Sequence, residues 1–138
     1  MAENEYWQAY ADGASRGNPG PAAIGVAIFD PQGKQVTAVS RFIGRATNNV
    51  AEYQSAITAL ETAAGLGATR LRLLMDSELV VRQVEGKYRV RNANLQPLWN
   101  KLMELKSRFE RFEAHSIPRE SNRLADRLAN QALGPKNS

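Results

Sequence analysis

The alternation of apolar and polar residues predicts that the chain begins with three strands. An aromatic, apolar run over 5–11 ends at a glycine- and proline-rich stretch, and the run "AAIGVAIFD" follows that stretch. The turn "PQGK" leads into a third run, "QVTAVSRFIG", in which apolar and polar residues partly alternate. Three consecutive strands with short connections favour an antiparallel meander.

After "RATNN" the apolar residues recur every three or four positions. This period predicts an amphipathic helix that ends at Gly65 or Gly67, with a buried face made of Tyr53, Ile57, Leu60 and Ala64.

The rest of the chain alternates strands with helices. "ATRLRLLMD" and "RFEAHSI" predict strands, while "SELVVRQVEG", "LQPLWNKLMELKSRF" and "SNRLADRLANQAL" predict helices. In the last helix the predicted buried residues are Leu124, Leu128 and Ala132. Because helices separate the late strands, those strands pair in parallel. The predicted fold class is therefore α/β, with a mixed sheet of five strands, antiparallel on one side and parallel on the other.

Length and composition indicate one ordinary globular domain. The chain has 138 residues and no evident linker, so we expect a single domain over 1–138 in which residues 135–138 fray. The net charge of +4 favours an anionic partner, without distinguishing nucleic acid from a phosphorylated small molecule. The absence of cysteine excludes disulfides, thiolate zinc sites and thiol nucleophiles.

The start of the chain, "MAENEYWQAY", has early acidic residues and no apolar core, so it does not resemble a signal peptide. No apolar run approaches the roughly 20 residues of a membrane span. We therefore expect a cytoplasmic protein with no membrane partner. A monomer is expected, because no apolar stripe is left over for a second copy.

Four acidic residues stand at notable places in the predicted elements. Asp12 closes the first strand, Glu52 lies in the first turn of the first long helix, Asp76 closes the fourth strand and Asp126 lies inside the last helix.

Each acid also has a purely structural interpretation. Asp12 could begin a turn, and Asp76 could cap the helix that follows it. Glu52 stands three residues after Asn49, which is the spacing of a capping box. Asp126 could pair with the arginine one turn earlier, at position 123.

The joint placement of the acids favours a shared site. Ligands of open sheets gather at the carboxyl ends of parallel strands, where Asp12 and Asp76 are predicted, and the two lie close together if strands one and four are neighbours. Carboxylates forced together either take up protons or bind cations. The chain has no cysteine and one histidine, so a cation site built from these acids has only oxygen ligands. Oxygen ligands suit Mg²⁺ or Mn²⁺. Two such ions about 4 Å apart can promote phosphodiester hydrolysis.

At this point the chain resembles a known family, the type 1 ribonucleases H. The stretches "YADGASRGNPGPAAIG", "ATNNVAEYQSAITAL", "LLMDSELVVRQ" and "PRESNRLADRLAN" occur in the order and rough spacing of that family. The resemblance implies a ribonuclease H-like fold and an endonuclease that hydrolyses the RNA strand of RNA/DNA hybrids and leaves 5′-phosphate ends. It also implies two bound Mg²⁺ or Mn²⁺ ions, with Asp12, Glu52, Asp76 and Asp126 as catalytic and metal-binding residues.

The same resemblance implies substrate contacts. Asn18, Asn48 and Gln83 match residues that meet the minor groove of the hybrid, where the 2′-hydroxyls lie. Thr47 and Asn48 suit a phosphate of the DNA strand. Arg16 is a candidate phosphate contact on charge alone. The alternative for each is an ordinary turn or cap residue.

Two features depart from well-studied members. Those members carry a histidine in the loop before the last aspartate, where this chain has Arg119. Arginine stays charged and cannot shuttle protons, so we hypothesise that Arg119 acts electrostatically on the scissile phosphate or in product release. The only histidine, His115, lies on the fifth predicted strand and is expected to be structural.

The second departure concerns added binding elements. Some members insert a basic protrusion or carry an N-terminal hybrid-binding domain; here the segment after Gly86 is short and eleven residues precede Asp12, so we expect a form that lacks both. Two alternatives stay open: a binding module that has lost catalysis, against which the four acids argue, and a nuclease with another substrate, including side activity on double-stranded RNA.

Overall fold

The computed structural model describes residues 5–135, which form one mixed sheet flanked by helices. The elements in chain order are β1 (Trp7–Ser15), β2 (Gly20–Phe29), β3 (Gln35–Ala46), α1 (Asn48–Gly65), β4 (Arg70–Met75), α2 (Glu78–Val84), α3 (Gln96–Lys106), β5 (Arg111–Ser116), a short 3-10 helix (Arg119–Ser121) and α4 (Arg123–Leu133). The predicted tail falls, after Pro135, outside the described residues.

The strand order is β3-β2-β1-β4-β5. Strand β2 pairs antiparallel with β1 and β3, whereas β4 pairs parallel with β1 and β5. The predicted α/β class and mixed sheet are therefore confirmed. Strands β1 and β4 are neighbours, as the placement of Asp12 and Asp76 at one site requires.

The two faces of the sheet are covered differently. Helices α1, α2 and α3 bury the main apolar core against one face, and α4 packs against the other face over β1, β2 and β3. Tyr53, Ile57 and Leu60 are buried as their spacing predicts. Helix α1 is enclosed on most sides, since Ser55 and Thr58 are buried as well.

Strand β1 does not end at Asp12, contrary to the sequence prediction. It continues to Ser15 because residues 12–15 stay paired with β2, with Asp12 opposite Gly25 and Ser15 opposite Ala22. The parallel pairing with β4, in contrast, ends at Tyr10 opposite Leu74. Beyond Tyr10, the edge of β1 that faces β4 is therefore not paired with a strand.

Helix α4 buries small residues rather than the predicted leucines. Ala125 and Ala129 are fully buried, while Leu124 and Leu128 are only partly so. A Cβ at Gly25 would lie 2.1 Å from the Ala125 carbonyl oxygen. The close approach of α4 to β2 thus selects alanine at the contact and glycine beneath it.

Residues 85–95 join α2 to α3 through turns and bends, so the expected absence of a basic helical protrusion is confirmed. In the described part of the chain no helix has the length and apolar character needed to cross a bilayer.

We predict that Gly25→Ala lowers the free energy of unfolding by at least about 1 kcal/mol, because the added methyl group meets the α4 backbone. Gly65→Ala is the matched control: no atom lies within 4 Å of a Cβ there. That change should be neutral or stabilising by up to about 1 kcal/mol. Urea denaturation of both variants is the measurement, and equal stabilities would contradict the close packing.

Candidate active site

Asp12 lies at the centre of the sheet, on the face that α4 covers. Its cross-strand partner is Gly25, whose missing side chain lets α4 approach. The Asp12 side chain has little contact with solvent, since the residue is 6% exposed. The last β1–β4 pair is Tyr10 with Leu74. If this parallel register continues for two residues, Asp76 lies beside Asp12.

Glu52 reaches this place from α1 through a second close approach. The Gly13 N–H donates to Glu52 Oε1 at 2.9 Å. A Cβ at Gly13 would lie 2.3 Å from the carbonyl carbon of Ala51, so only glycine lets α1 come this near to β1. The "DG" pair therefore supplies one acid and anchors another.

Asp76 and Asp126 are each held by an asparagine amide. Asn122 Nδ2 donates to Asp76 Oδ1 at 2.8 Å, and Asn130 Nδ2 donates to Asp126 Oδ1 at 3.2 Å. Asp76 directly follows β4, and Asp126 lies in the first turn of α4.

The structural interpretations of these acids are wrong. Thr47 caps α1 by accepting from the Val50 N–H, so no capping box begins at Asn49. Glu52 consequently lies beyond the first helical turn, contrary to prediction. Ser77, rather than the aspartate before it, caps α2.

Asp12 and Asp126 also do not have the structural roles that the sequence allowed, a turn and an ion pair. Asp12 stands inside a strand and not at a turn. Within residues 5–135 no ion pair joins Asp126 to Arg123.

The four acids interact electrostatically. Burial, followed by the charges of Glu52 and Asp76, raises the pKa of Asp12 from its ordinary value of 3.8 to about 9. A hydrogen bond with Asp126 acts in the same direction. Burial also raises the pKa of Glu52 from 4.5 to about 8, although the bond from the Gly13 N–H opposes this rise. Carboxyl groups with such values favour a nearby cation.

The donor set fits hard divalent cations, because carboxylate oxygens are the ligands that Mg²⁺ and Mn²⁺ prefer. In the described chain no three acidic or histidine side chains are already arranged to hold one ion.

Arg119 is a cationic residue whose charge acts on this cluster. Its guanidinium lowers the pKa of Glu52, against the larger effect of burial. With Glu120, Arg123 and Asp126 it lines an open cavity of about 350 Å³. The position is consistent with an electrostatic role at the site.

The predicted substrate-binding residues separate into two groups. Asn18 and Asn48 meet at the start of α1, where the Asn48 N–H donates to Asn18 Oδ1 at 2.9 Å. Thr47 is the adjacent cap. The "GNPG" loop and the "TNN" stretch thus form one polar surface at the start of α1, about one helical turn before Glu52.

Gln83 and Arg16, the other two predicted substrate contacts, form hydrogen bonds within the protein. Gln83 is buried; its Oε1 accepts from the Tyr53 hydroxyl and its Nε2 donates to the Arg89 carbonyl. The Arg16 guanidinium donates to three carbonyls at the end of α4, those of Leu133, Gly134 and Pro135. Gln83 thus joins α1 to the segment after α2, and Arg16 binds the end of α4; the substrate contacts of both residues stay predictions.

His115 lies on β5 with its side chain 52% exposed, and its Nε2 is 2.9 Å from Glu113 Oε1. This bond, followed by one from Arg72, lowers the pKa of Glu113. The structural role of His115 stays a prediction.

Comparisons with known proteins agree with this geometry. A family model described as "Reverse transcriptase-like" matches residues 10–132. The "Bifunctional protein Rv2228c" of Mycobacterium tuberculosis is 48% identical over 124 residues, 89% of this chain and 34% of the relative. The crystal structure of RNase H1 from the archaeon Halobacterium salinarum superimposes with a TM-score of 0.90 at 43% identity, over 93% of this chain and 97% of that one. The chain belongs to the type 1 ribonuclease H family.

A second similar structure contains a nucleic acid. LC11-RNase H1, described in complex with an RNA/DNA hybrid, has a TM-score of 0.87 and 42% identity over 91% of this chain and 95% of its own. The chain spans about a third of the length of the mycobacterial relative.

Sequence reasoning missed three residues of this candidate site. Asn122 holds Asp76, while Gly13 and Gly25 admit the two helices. A signal was present for Gly13, because a glycine after an acid inside an apolar strand is typical of close backbone approach. Asn122 resembled an ordinary helix cap.

We predict that the metal-free protein loses stability as pH rises. Because the folded pKa values of Asp12 and Glu52 lie above their ordinary values, the folded state holds more protons than the unfolded chain between about pH 4 and about pH 9. The free energy of unfolding therefore falls across this window. Asp12→Asn should reduce the slope, whereas Glu61→Gln, at an exposed ion pair, should not.

Chemical denaturation in chelator at several pH values measures this slope. A free energy of unfolding that rises between about pH 5 and about pH 9 would contradict the raised pKa values.

Proposed function

We propose that this protein is a divalent-metal-dependent ribonuclease H that hydrolyses the RNA strand of RNA/DNA hybrids and leaves 5′-phosphate ends. The observation that carries the proposal is the cluster of four carboxylates around the buried Asp12, whose pKa the charges of the other three raise, with a polar surface at the start of α1. The hybrid bound in the similar LC11 structure supports the substrate class.

Asp12, Glu52, Asp76 and Asp126 are the proposed ligands of two Mg²⁺ or Mn²⁺ ions in the substrate complex. Such ions supply activation of a water and stabilisation of the leaving oxygen in phosphodiester cleavage. The protein contributes the spacing of the carboxylates, which β1, α1, α4 and the end of β4 fix.

The polar surface at the start of α1 is proposed to bind the hybrid. Thr47 caps the helix through its oxygen, which leaves the hydroxyl hydrogen as a donor for a phosphate. Asn18 uses Oδ1 to bind the Asn48 N–H, and its amide NH₂ suits the 2′-hydroxyls of the RNA strand. Cytoplasmic location, the monomeric state and side activity on double-stranded RNA remain predictions.

We predict that Asp12→Asn and Asp76→Asn each lower kcat by more than about a hundredfold, since even residues that only support metal ligands contribute 10- to 100-fold. The control is Glu61→Gln, a carboxylate on the same helix as Glu52 that pairs with Lys101. Substrates are labelled RNA/DNA hybrid, double-stranded RNA and duplex DNA, each with Mg²⁺, Mn²⁺ or chelator. Cleavage of the hybrid in chelator, or full activity in either variant, would refute the proposal.

We predict that Arg119→Ala lowers kcat by roughly 10- to 100-fold, because a hydrogen bond to a charged group contributes about 1.5–3 kcal/mol. Arg119→Lys should retain part of the activity, since the positive charge persists. Arg108→Ala, which removes an exposed ion pair with Glu104, controls for loss of charge alone. Unchanged turnover of Arg119→Ala on the hybrid would exclude the electrostatic role.

A further inference from the structure

The side-chain amide of Asn122 bonds two neighbouring strands at the acid cluster. The residue is 1% exposed, and its Nδ2 donates to the Ala11 carbonyl at 3.0 Å and to Asp76 Oδ1 at 2.8 Å. Both partners are acceptors, so only the NH₂ end of the amide can face them. Ala11 precedes Asp12, and one amide therefore fixes the backbone beside Asp12 together with the carboxylate of Asp76.

The main chain of Asn122 connects two further site residues. Its N–H donates to the Arg119 carbonyl at 2.9 Å, and its own carbonyl accepts from the Asp126 N–H at 3.1 Å. The residue thus ends the 3-10 turn that carries Arg119 and begins the helical turn that carries Asp126. No other residue in 5–135 has described hydrogen bonds to both Asp76 and Asp126.

Helix capping does not account for this asparagine. An asparagine at a helix start normally accepts a backbone N–H through its side-chain oxygen. Asn122 stands at that position of α4 but makes no such bond, and its Oδ1 is buried without a partner. The amide is therefore oriented to serve the Ala11 carbonyl and Asp76 Oδ1 and leaves its own oxygen without a partner, which is not the arrangement of a helix cap.

We propose that Asn122 is a positioning residue for divalent-metal binding, which fixes the rotation of the Asp76 carboxylate and its distance from Asp12. The proposal rests on the proposed function, in which Asp76 is a metal ligand. A neutral amide suits this place: it donates to a carboxylate without adding a fifth negative charge, whereas lysine or arginine would compete with the cation.

The test measures Mn²⁺ binding without substrate, by electron paramagnetic resonance of the free ion, together with kcat and KM on the hybrid. For Asn122→Ala and the near-isosteric Asn122→Leu we expect the Mn²⁺ dissociation constant to rise about 10- to 100-fold and kcat to fall. KM should stay within about twofold, because Asn18, Thr47 and Asn48 are unchanged. The control is Asn100→Leu, an exposed residue of α3 bonded to Gln96.

Circular dichroism and thermal melting in chelator identify the folded variants. If Asn122→Ala does not fold, the Mn²⁺ affinity of Asn122→Leu tests the proposal. Unchanged Mn²⁺ affinity in a folded Asn122 variant overturns the positioning role, whatever its melting temperature. Asp76→Asn separates the two proposals: if it binds Mn²⁺ as tightly as the unaltered protein, the metal site itself is wrong. If Asp76→Asn loses Mn²⁺ and the Asn122 variants do not, only the positioning role fails.

Discussion

The close packing of two helices against glycine backbone on one strand pair is the constraint on which the site depends. Gly13 admits α1 within contact distance of the β1 backbone, and Gly25 admits α4 on the opposite face. Asp12 lies beside Gly13 along the chain and opposite Gly25 across the sheet. The central strand therefore receives an acid from each helix at the place where its own pairing with β4 has ended. Larger residues at either glycine would hold a helix, and its carboxylate, away from Asp12.

This packing creates an electrostatic conflict that a cation resolves. Burial and mutual repulsion raise the pKa of Asp12 and Glu52, so without metal the site stays partly protonated near neutral pH. The fold opposes the repulsion only in part, through the Gly13 N–H, the Arg119 charge and the asparagine amides. Divalent ions supply the missing positive charge, while the net charge of +4 on the whole chain favours a polyanionic substrate.

Periodicity in the sequence was sufficient to predict the elements and the mixed sheet, because strands separated by helices must pair in parallel. The sequence also predicted that Asp12 and Asp76 lie close together if β1 and β4 are neighbouring strands. The contributions of Glu52 and Asp126 required the family resemblance, since their approach depends on helix distances set by single glycines. The period of apolar residues does not predict the hydrogen-bond partners of individual side chains. Arg16 and Gln83 have chemistry that suits a nucleic acid, but in the structure they bond within the protein. The Asn122 side chain makes no capping bond to its own helix.

The most direct test of the assembled site is anomalous diffraction from crystals soaked in Mn²⁺ salt. We predict anomalous density bounded by the carboxylates of Asp12, Glu52, Asp76 and Asp126, and loss of that density in Asp12→Asn crystals. Manganese bound elsewhere, with the four carboxylates unoccupied in crystals of an enzyme that Mn²⁺ activates, would contradict it.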